Sequence, residues 1–516
     1  MFSSLTVWIK QLFRSATFIV LLAGIYFLCW WLYRLDVLPG LHGDEAWFGL
    51  KAHQYNSTGI DRWYGMNTYS GILESLVSSW FFRLAGIGVS QLRLAGPVFN
   101  LLGVVIMCMA LRVCGGRKTV LLFLLIFSQS ALFLISPRVA WEVNTFTLFF
   151  IAAAWMAITR ITATPTAFLP IWIVVFFVAS LLGSYNHIIF SCISAAALGA
   201  AIMWSLLCRT TVLKNIILLL AFNLFNLTLL FIVMKYAFNT LLLTPYTWML
   251  AFGLVVVVEI IALRQLDIEK ILLFAFKLVS PRIIYGLVVV LAACFVRFHG
   301  MALYQVLSNY KIIMQAYSFS PGPVSRFLLL AGGAVMALYL VVFIMEDLKN
   351  KHNAFPAVFI VTYLGLLAVY TTRCSFRYYL AAFVIIATYL AFKAGGGKKQ
   401  AMPLIVSLIV MLVIMNITLL KIFIHNNRPL KAYEFVIGNN QIETSAHFLP
   451  NKPLLDFLRE NEIGEVDYLS NQYFLEQPIL FYKLCNPWKE IPEHKALVDY
   501  DYSENNHGGY MFYRKE

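Results

Sequence analysis

The sequence predicts a polytopic α-helical membrane protein of about thirteen spans, followed by a small α/β domain. Three observations carry that prediction. Hydrophobic residues fill 61% of the 516 positions and charged residues only 12%, with a mean hydropathy of +0.77. A soluble domain sits near half apolar and about a quarter charged. Apolar runs of the ~20 residues needed to cross a bilayer follow one another along the chain. Past residue 424 the composition turns polar and short strand-like pieces replace the long runs.

The first run, 17–38, ends in no small-residue cleavage site and leads into further spans, so it reads as a span and not as a cleaved signal peptide. The later spans take the approximate limits 94–111, 119–136, 143–159, 167–184, 188–207, 215–234, 246–263, 283–296, 327–345, 355–370, 378–392 and 402–424. Lys10 and Arg14 place the N-terminus in the cytoplasm. The basic groups Arg112/Arg117/Lys118, Arg209/Lys214, Arg264/Lys270/Lys277/Arg282 and Lys393/Lys398/Lys399 then fall on the same side. The outer loops still hold Arg34, Lys51, Arg62, Arg83, Arg93, Arg138, Arg297, Arg326, Arg373 and Arg377. The orientation rule thins cations from that side, so their retention is a signal in itself.

Between the first two spans lies a long outer segment, 39–93. It opens on Leu38-Pro39-Gly40-Leu41-His42-Gly43-Asp44-Glu45-Ala46-Trp47, which sets two adjacent carboxylates at the membrane edge. Within it, Gly71–Leu84 has apolar residues at 72, 73, 76, 77, 80, 81 and 84, the spacing of an amphipathic helix lying in the interface. The fourth span opens with Ser136-Pro137-Arg138-Val139-Ala140-Trp141-Glu142, where Arg138 and Glu142 stand four apart, the spacing of a helical ion pair. His187 follows the fifth span in Gly183-Ser184-Tyr185-Asn186-His187; a lone histidine there is more often a cap or packing partner than a catalyst. Before the twelfth span, Arg373 and Arg377 in Thr372-Arg373-Cys374-Ser375-Phe376-Arg377-Tyr378-Tyr379 are spaced to clamp a phosphate, or to snorkel toward headgroups. Residues 425–516 read as the α/β domain, with strands at Val466–Leu469, Ile479–Tyr482, Ala496–Tyr500 and Tyr510–Tyr513 and a helix at Pro453–Glu460.

Composition also excludes partners. The net charge is +14, but no basic soluble domain exists to carry nucleic acid, so membrane lipids and lipid-linked phosphates are the counter-charges expected. No glycine-rich phosphate loop and no metal-ligand spacing occurs. No cofactor is therefore named, and the residues leave a divalent metal open. Of the eight cysteines, Cys374 and Cys485 are the two an oxidising compartment could join.

Carboxylates beside several arginines at a lipid boundary suit a reaction on a sugar joined to a lipid phosphate, which has a built-in leaving group. A carboxylate takes the proton from the attacking hydroxyl, and cations stabilise the departing phosphate. Trp47, Trp63, Tyr64 and Trp141 are available to stack on sugar faces, although an interfacial aromatic belt explains them equally well.

The Gly-Asp-Glu-Ala-Trp motif at 43–47 resembles the acidic motif of the GT-C superfamily of membrane glycosyltransferases. The likeness is to the branch holding the bacterial lipid A aminoarabinose transferases and the protein O-mannosyltransferases. Asn67-Thr68-Tyr69-Ser70-Gly71 with Gln91-Leu92-Arg93-Leu94, Ser136–Glu142, and Phe376-Arg377-Tyr378-Tyr379-Leu380 are similar to further motifs of that branch. The resemblance covers most of the membrane region, strongest over 38–150, and implies transfer with inversion from a polyprenyl-phosphate sugar. It assigns Asp44 as general base with Glu45 beside it, and Arg377, Arg373 and Arg138 as donor-phosphate ligands. Glu142, His187, Trp47 and Tyr64 would bind substrate, Glu142 standing where many relatives carry an aspartate. The chain lacks the inserted luminal domains of eukaryotic mannosyltransferases, which implies a bacterial inner-membrane enzyme with its site and C-terminal domain facing the periplasm. The expected acceptor is a lipid or glycan, lipopolysaccharide or another surface glycan. A protein acceptor is one alternative. A flippase or transporter for a lipid-linked sugar is another, although transporters tend to carry internal repeats and mid-membrane charges, and neither is evident here.

Overall fold

A computed structural model describes residues 16–38, 40–67, 69–163, 169–208, 290, 323–349, 354–369, 376–396, 448–449, 456, 458–468, 473–486, 494–501 and 509–515, with scattered positions between 403 and 417. In chain order the helices are α1 (Ala16–Leu32), α2 (Gly43–Ser57), α3 (Leu73–Ala85), α4 (Val89–Arg93), α5 (Ala95–Gln129), α6 (Ala131–Ile135), α7 (Glu142–Ala163), α8 (Leu169–Asn186), α9 (Phe190–Cys208), α10 (Pro323–Lys349), α11 (Ala354–Val369), α12 (Leu380–Gly395) and α13 (Tyr473–Cys485). Two 3₁₀ turns, Ser136–Arg138 and Phe376–Tyr379, lead into α7 and α12. The strands are β1 (Leu41–His42), β2 (Phe448–Leu449), β3 (Ile463–Tyr468), β4 (His494–Asp501) and β5 (Gly509–Lys515).

The protein is helical and membrane-spanning in character. Among the described residues, Val89–Ser128, Glu142–Ile161 and Ala331–Lys349 are long and apolar enough to cross a bilayer. Shorter apolar helices run over Thr17–Leu32, Ile171–Asn186, Phe190–Ala201, Phe355–Leu367 and Leu380–Gly395. The spans expected at 215–234 and 246–263 lie outside the described residues, as do all but one position of 283–296 and much of 402–424. The spans expected at 94–111 and 119–136 fall on the two halves of α5, which is kinked between them at Gly116, and on α6; the Gly116 φ of 73° is a value that a side chain disfavours. Leu21, Ile25, Ile171 and Val174 stay exposed, as lipid-facing positions do. Inside, Phe27, Trp31, Phe127 and Phe133 interlock, with Phe27 stacked on Trp31 at 5.2 Å and Phe127 edge-on to Phe133 at 4.3 Å. That cluster fixes α1 against α5 and α6.

Helix α3 forms where the apolar periodicity places it, and polar and apolar positions share its buried side. Glu74, Ser75, Ser78 and Ser79 are buried, while Trp80 and Leu84 are exposed. Small polar side chains let the helix approach its neighbours closely beside the buried Val77 and Phe82, and Trp80 and Leu84 turn outward.

At the C-terminal end, β3 pairs parallel with β4 and β4 antiparallel with β5. Ile479–Tyr482, expected as a strand, lies inside α13. Short apolar runs do not separate strand from buried helix, and here the buried Leu475, Ile479 and Tyr482 fall at helical spacing. Of Pro453–Glu460, the described residues Asp456 and 458–460 are helical. Cys485 is a free thiol, and Cys374 lies outside the described residues.

This segment shares a core with the stretch between α1 and α5. Leu41, Ala46, Phe48, Ala52, Phe82 and Leu92 pack with Leu458, Leu475, Ile479, Phe481 and Tyr482. Gly49 makes the contact possible, because a Cβ there would sit 2.4 Å from the Phe481 ring. Full burial of such a phenyl ring contributes roughly 1.5–3 kcal/mol. β1 pairs antiparallel with β2, and the Leu41 amide donates to Tyr482 Oη at 3.3 Å. The start of α2 is thereby held from the far end of the chain.

Candidate active site

The first turn of α2 carries both acids, and the fold gives them different surroundings. Neighbouring helical residues point about 100° apart, so one can face a cleft while the other faces the core. Glu45 is fully buried. Its Oε1 accepts from Arg93 Nε at 2.8 Å and from the Ala140 amide at 2.8 Å; its Oε2 accepts from Arg93 Nη2 at 2.9 Å and the His42 amide at 3.0 Å. Arg93, also fully buried, donates its remaining groups to the Leu35 and Gly40 carbonyls, both at 2.9 Å. Glu45 is thus a pillar joining α2, α4 and the loop before α7, with no lone pair turned toward a substrate. It does not stand beside Asp44 as a second reacting acid.

Asp44 points elsewhere. Its Oδ2 accepts from Arg377 Nη1 at 2.9 Å, a contact between residues 333 apart in sequence. The Asp44 side chain is 10% exposed and that of Arg377 14%. Asp44 Oδ1 has no hydrogen-bond partner among the described residues. The Arg377 guanidinium also lies over the Trp141 ring, 4.8 Å from its centroid. His42 stands edge-on to the same ring at 4.8 Å. Glu142, 3% exposed, is within electrostatic reach of Arg377 and Asp44, and its Oε2 is buried with no hydrogen-bond partner among the described residues. Its backbone carbonyl accepts from Asn186 Nδ2 at 2.8 Å, which ties α7 to the end of α8.

The loop 65–72 is stitched to the α8–α9 turn. Ser70 bridges His187, the Gly71 amide donates to the Asn186 carbonyl at 3.2 Å, and the Ile188 amide donates to the Tyr69 carbonyl at 3.0 Å. His187 Nδ1 accepts from the Ile189 amide at 3.2 Å. Burial, with the Arg377 charge adding to it, pushes His187 down to about 3, so its ring is neutral at physiological pH. Burial also pushes the Glu74 carboxyl up to about 8, and the Glu142 and Glu45 carboxylates reinforce the shift.

Three expected ligands stand differently from the motif reading. Arg138 is fully buried, and its guanidinium donates to the carbonyls of Trp30, Tyr33 (2.5 Å), Arg34 (3.3 Å) and Leu38 (2.8 Å). It caps the C-terminal carbonyls of α1 and the turn after it, which removes it from a phosphate. The expected i,i+4 relation with Glu142 also fails, because the helix begins at Glu142 and Arg138 sits in the Pro137 turn before it. Trp47 and Tyr64 each have one face covered by Arg62, at 5.1 and 4.6 Å. Arg373 lies outside the described residues. Arg93 and His42 escaped the sequence reading as site residues. Arg93 stands inside the Gln91–Leu94 motif without a role assigned to it, and His42 stands two residues before Asp44.

Fold and site together define a multi-pass α-helical membrane protein with a carboxylate–guanidinium pair near one end of its helices. No family model and no curated protein matches the sequence. Among solved structures, the chain is similar to ArnT from Cupriavidus metallidurans bound to undecaprenyl phosphate, at 12% identity over 96% of this chain and 98% of that one, with a TM-score of 0.39. It is similar also to ArnT from the same organism in the apo state, at 11% identity over 96% and 93% of the two chains, with a TM-score of 0.37.

Proposed function

We propose that the protein is an inverting glycosyltransferase of the bacterial inner membrane. It moves one monosaccharide from a polyprenyl-phosphate donor to a hydroxyl of a periplasmic acceptor, lipopolysaccharide or another surface glycan. The Asp44–Arg377 contact is the observation that carries this reading. It sets a carboxylate, one of whose oxygens has no partner among the described residues, beside a guanidinium near one end of the apolar helices. The donor class follows from the motif resemblance in the first loop. About thirteen spans in residues 1–424 and a periplasmic α/β region over 425–516 complete the proposed organisation.

In this mechanism Asp44 Oδ1 takes the proton of the acceptor hydroxyl, whose oxygen attacks the anomeric carbon from the side opposite the phosphate. The bond from that carbon to the phosphate oxygen breaks, and its electron pair leaves on polyprenyl phosphate. Arg377, with Arg373 as a second cation, stabilises that charge. Glu45 fixes α2, Trp141 holds Arg377 through its ring face, and Glu142 lies close enough to bind sugar hydroxyls. Asp44→Asn tests the reading: purified in detergent, it should fold as the parent does and lose transfer by about a hundredfold or more. Turnover within a few-fold of the parent would remove Asp44 from the role of base.

A further inference from the structure

We propose that His42 is a positioning residue for Asp44 that must be neutral for transfer to proceed, a proposal that rests on the function above. His42 is the N-cap of α2, and its Nδ1 accepts from the Asp44 amide at 3.0 Å. Its own amide donates to Glu45 Oε2, closing a reciprocal capping box. The ring is clamped by Trp141 at 4.8 Å and its backbone by pairing with Phe448. His42 is only 7% exposed. The same Nδ1 stands 3.8 Å from Asp44 Oδ2, the oxygen that Arg377 holds.

One nitrogen therefore faces two Asp44 groups of opposite demand. Neutral, Nδ1 offers a lone pair to the amide and fixes the turn that aims the carboxylate. Protonated, it has no lone pair and becomes a donor; the amide bond is lost, and the new N–H turns to Oδ2 in competition with Arg377. The carboxylate is then doubly neutralised and drawn from its position, and it is a poorer base. Among the described residues, the charged and titratable groups near His42 include Asp44 and Glu45 on its own helix, Arg93 of α4, Glu142 of α7, Arg377 of the 3₁₀ turn and Tyr482 of α13. Burial raises Tyr482, which stays protonated, and Glu45 is already matched by Arg93. Of these side-chain types, an imidazole is the one whose ordinary charge change falls between pH 5 and 8.

The test uses the full-length protein with His42→Ala and His42→Asn, since an asparagine side chain caps a helix without titrating. In transfer assays with a polyprenyl-phosphate sugar, His42→Ala should lower kcat roughly fivefold to tenfold with donor KM unchanged. His42→Asn should recover most of that loss and abolish the inflection between pH 5 and 8 in the parent profile. The idea is overturned if His42→Asn keeps the parent's acid limb, or if His42→Ala keeps the parent's kcat. A second arm needs no turnover, so it separates failure of this inference from failure of the functional reading. In histidine-labelled protein followed by NMR, Asp44→Asn should move the His42 titration midpoint down by about one pH unit. An unmoved midpoint means the two side chains are not coupled, and the proposal falls.

Discussion

Glu45→Gln should damage the fold, whereas Asp44→Asn, one residue away, should damage only the chemistry. Glu45 accepts four hydrogen bonds, two on each carboxylate oxygen, and all four donors are fixed by the fold. A glutamine reproduces one oxygen. Its amide nitrogen would meet the Arg93 Nη2 and His42 amide donors head-on, so two bonds are lost and two donors face a third. Arg93 is also left as an uncompensated charge with no exposure to solvent. Breaking a buried pair in this way costs about 3–5 kcal/mol, a large share of the 5–15 kcal/mol that holds a typical protein folded. Asp44 makes a single ion pair, and asparagine can still accept from Arg377, so its replacement should cost less, about 1–2 kcal/mol. Reversible unfolding in mixed micelles, followed by tryptophan fluorescence, would compare the two. A Glu45→Gln loss below 1 kcal/mol, or equal losses for both variants, would refute the division of labour between the two acids.

Arg377→Lys keeps a positive charge but loses the planar fork and its stacking on Trp141. Donor affinity should fall about tenfold and acceptor affinity should be little changed; an unchanged donor Kd would count against the phosphate role. Glu74→Gln should change how stability depends on pH. With the Glu74 carboxyl raised in the folded protein from 4.5 to about 8, its contribution to stability is complete below pH 4.5 and is lost as pH rises through 8. The glutamine variant should therefore gain on the parent between those values, by at most about 1.4 kcal/mol per pH unit. Parallel stability curves from pH 5 to 8 would show that Glu74 does not titrate there.

Helices were legible because a bilayer demands long apolar runs, and the outer acidic segment because it interrupts them. What the sequence hid depends on tertiary packing. Asp44 and Glu45 look interchangeable in a row of letters. Only the placement of Arg93 and Arg377 on separate elements distinguishes them. The spacing of Arg138 and Glu142 suggested a helical pair, but Pro137 puts a 3₁₀ turn before the helix and hands Arg138 to the carbonyls of α1. In α3 the periodicity gave the helix but not which face turns inward, since small serines pack against protein as readily as apolar side chains. Ile479–Tyr482 suits either secondary structure as a short apolar run, and only its packing with Leu475 against the α2 segment shows it as helix.

Product stoichiometry in proteoliposomes tests the central claim most directly. Protein reconstituted with undecaprenyl-phosphate sugar and isolated surface glycan should release one undecaprenyl phosphate for each sugar gained by the acceptor, and Asp44→Asn should release none. Movement of intact donor across the bilayer with no undecaprenyl phosphate released would contradict the account.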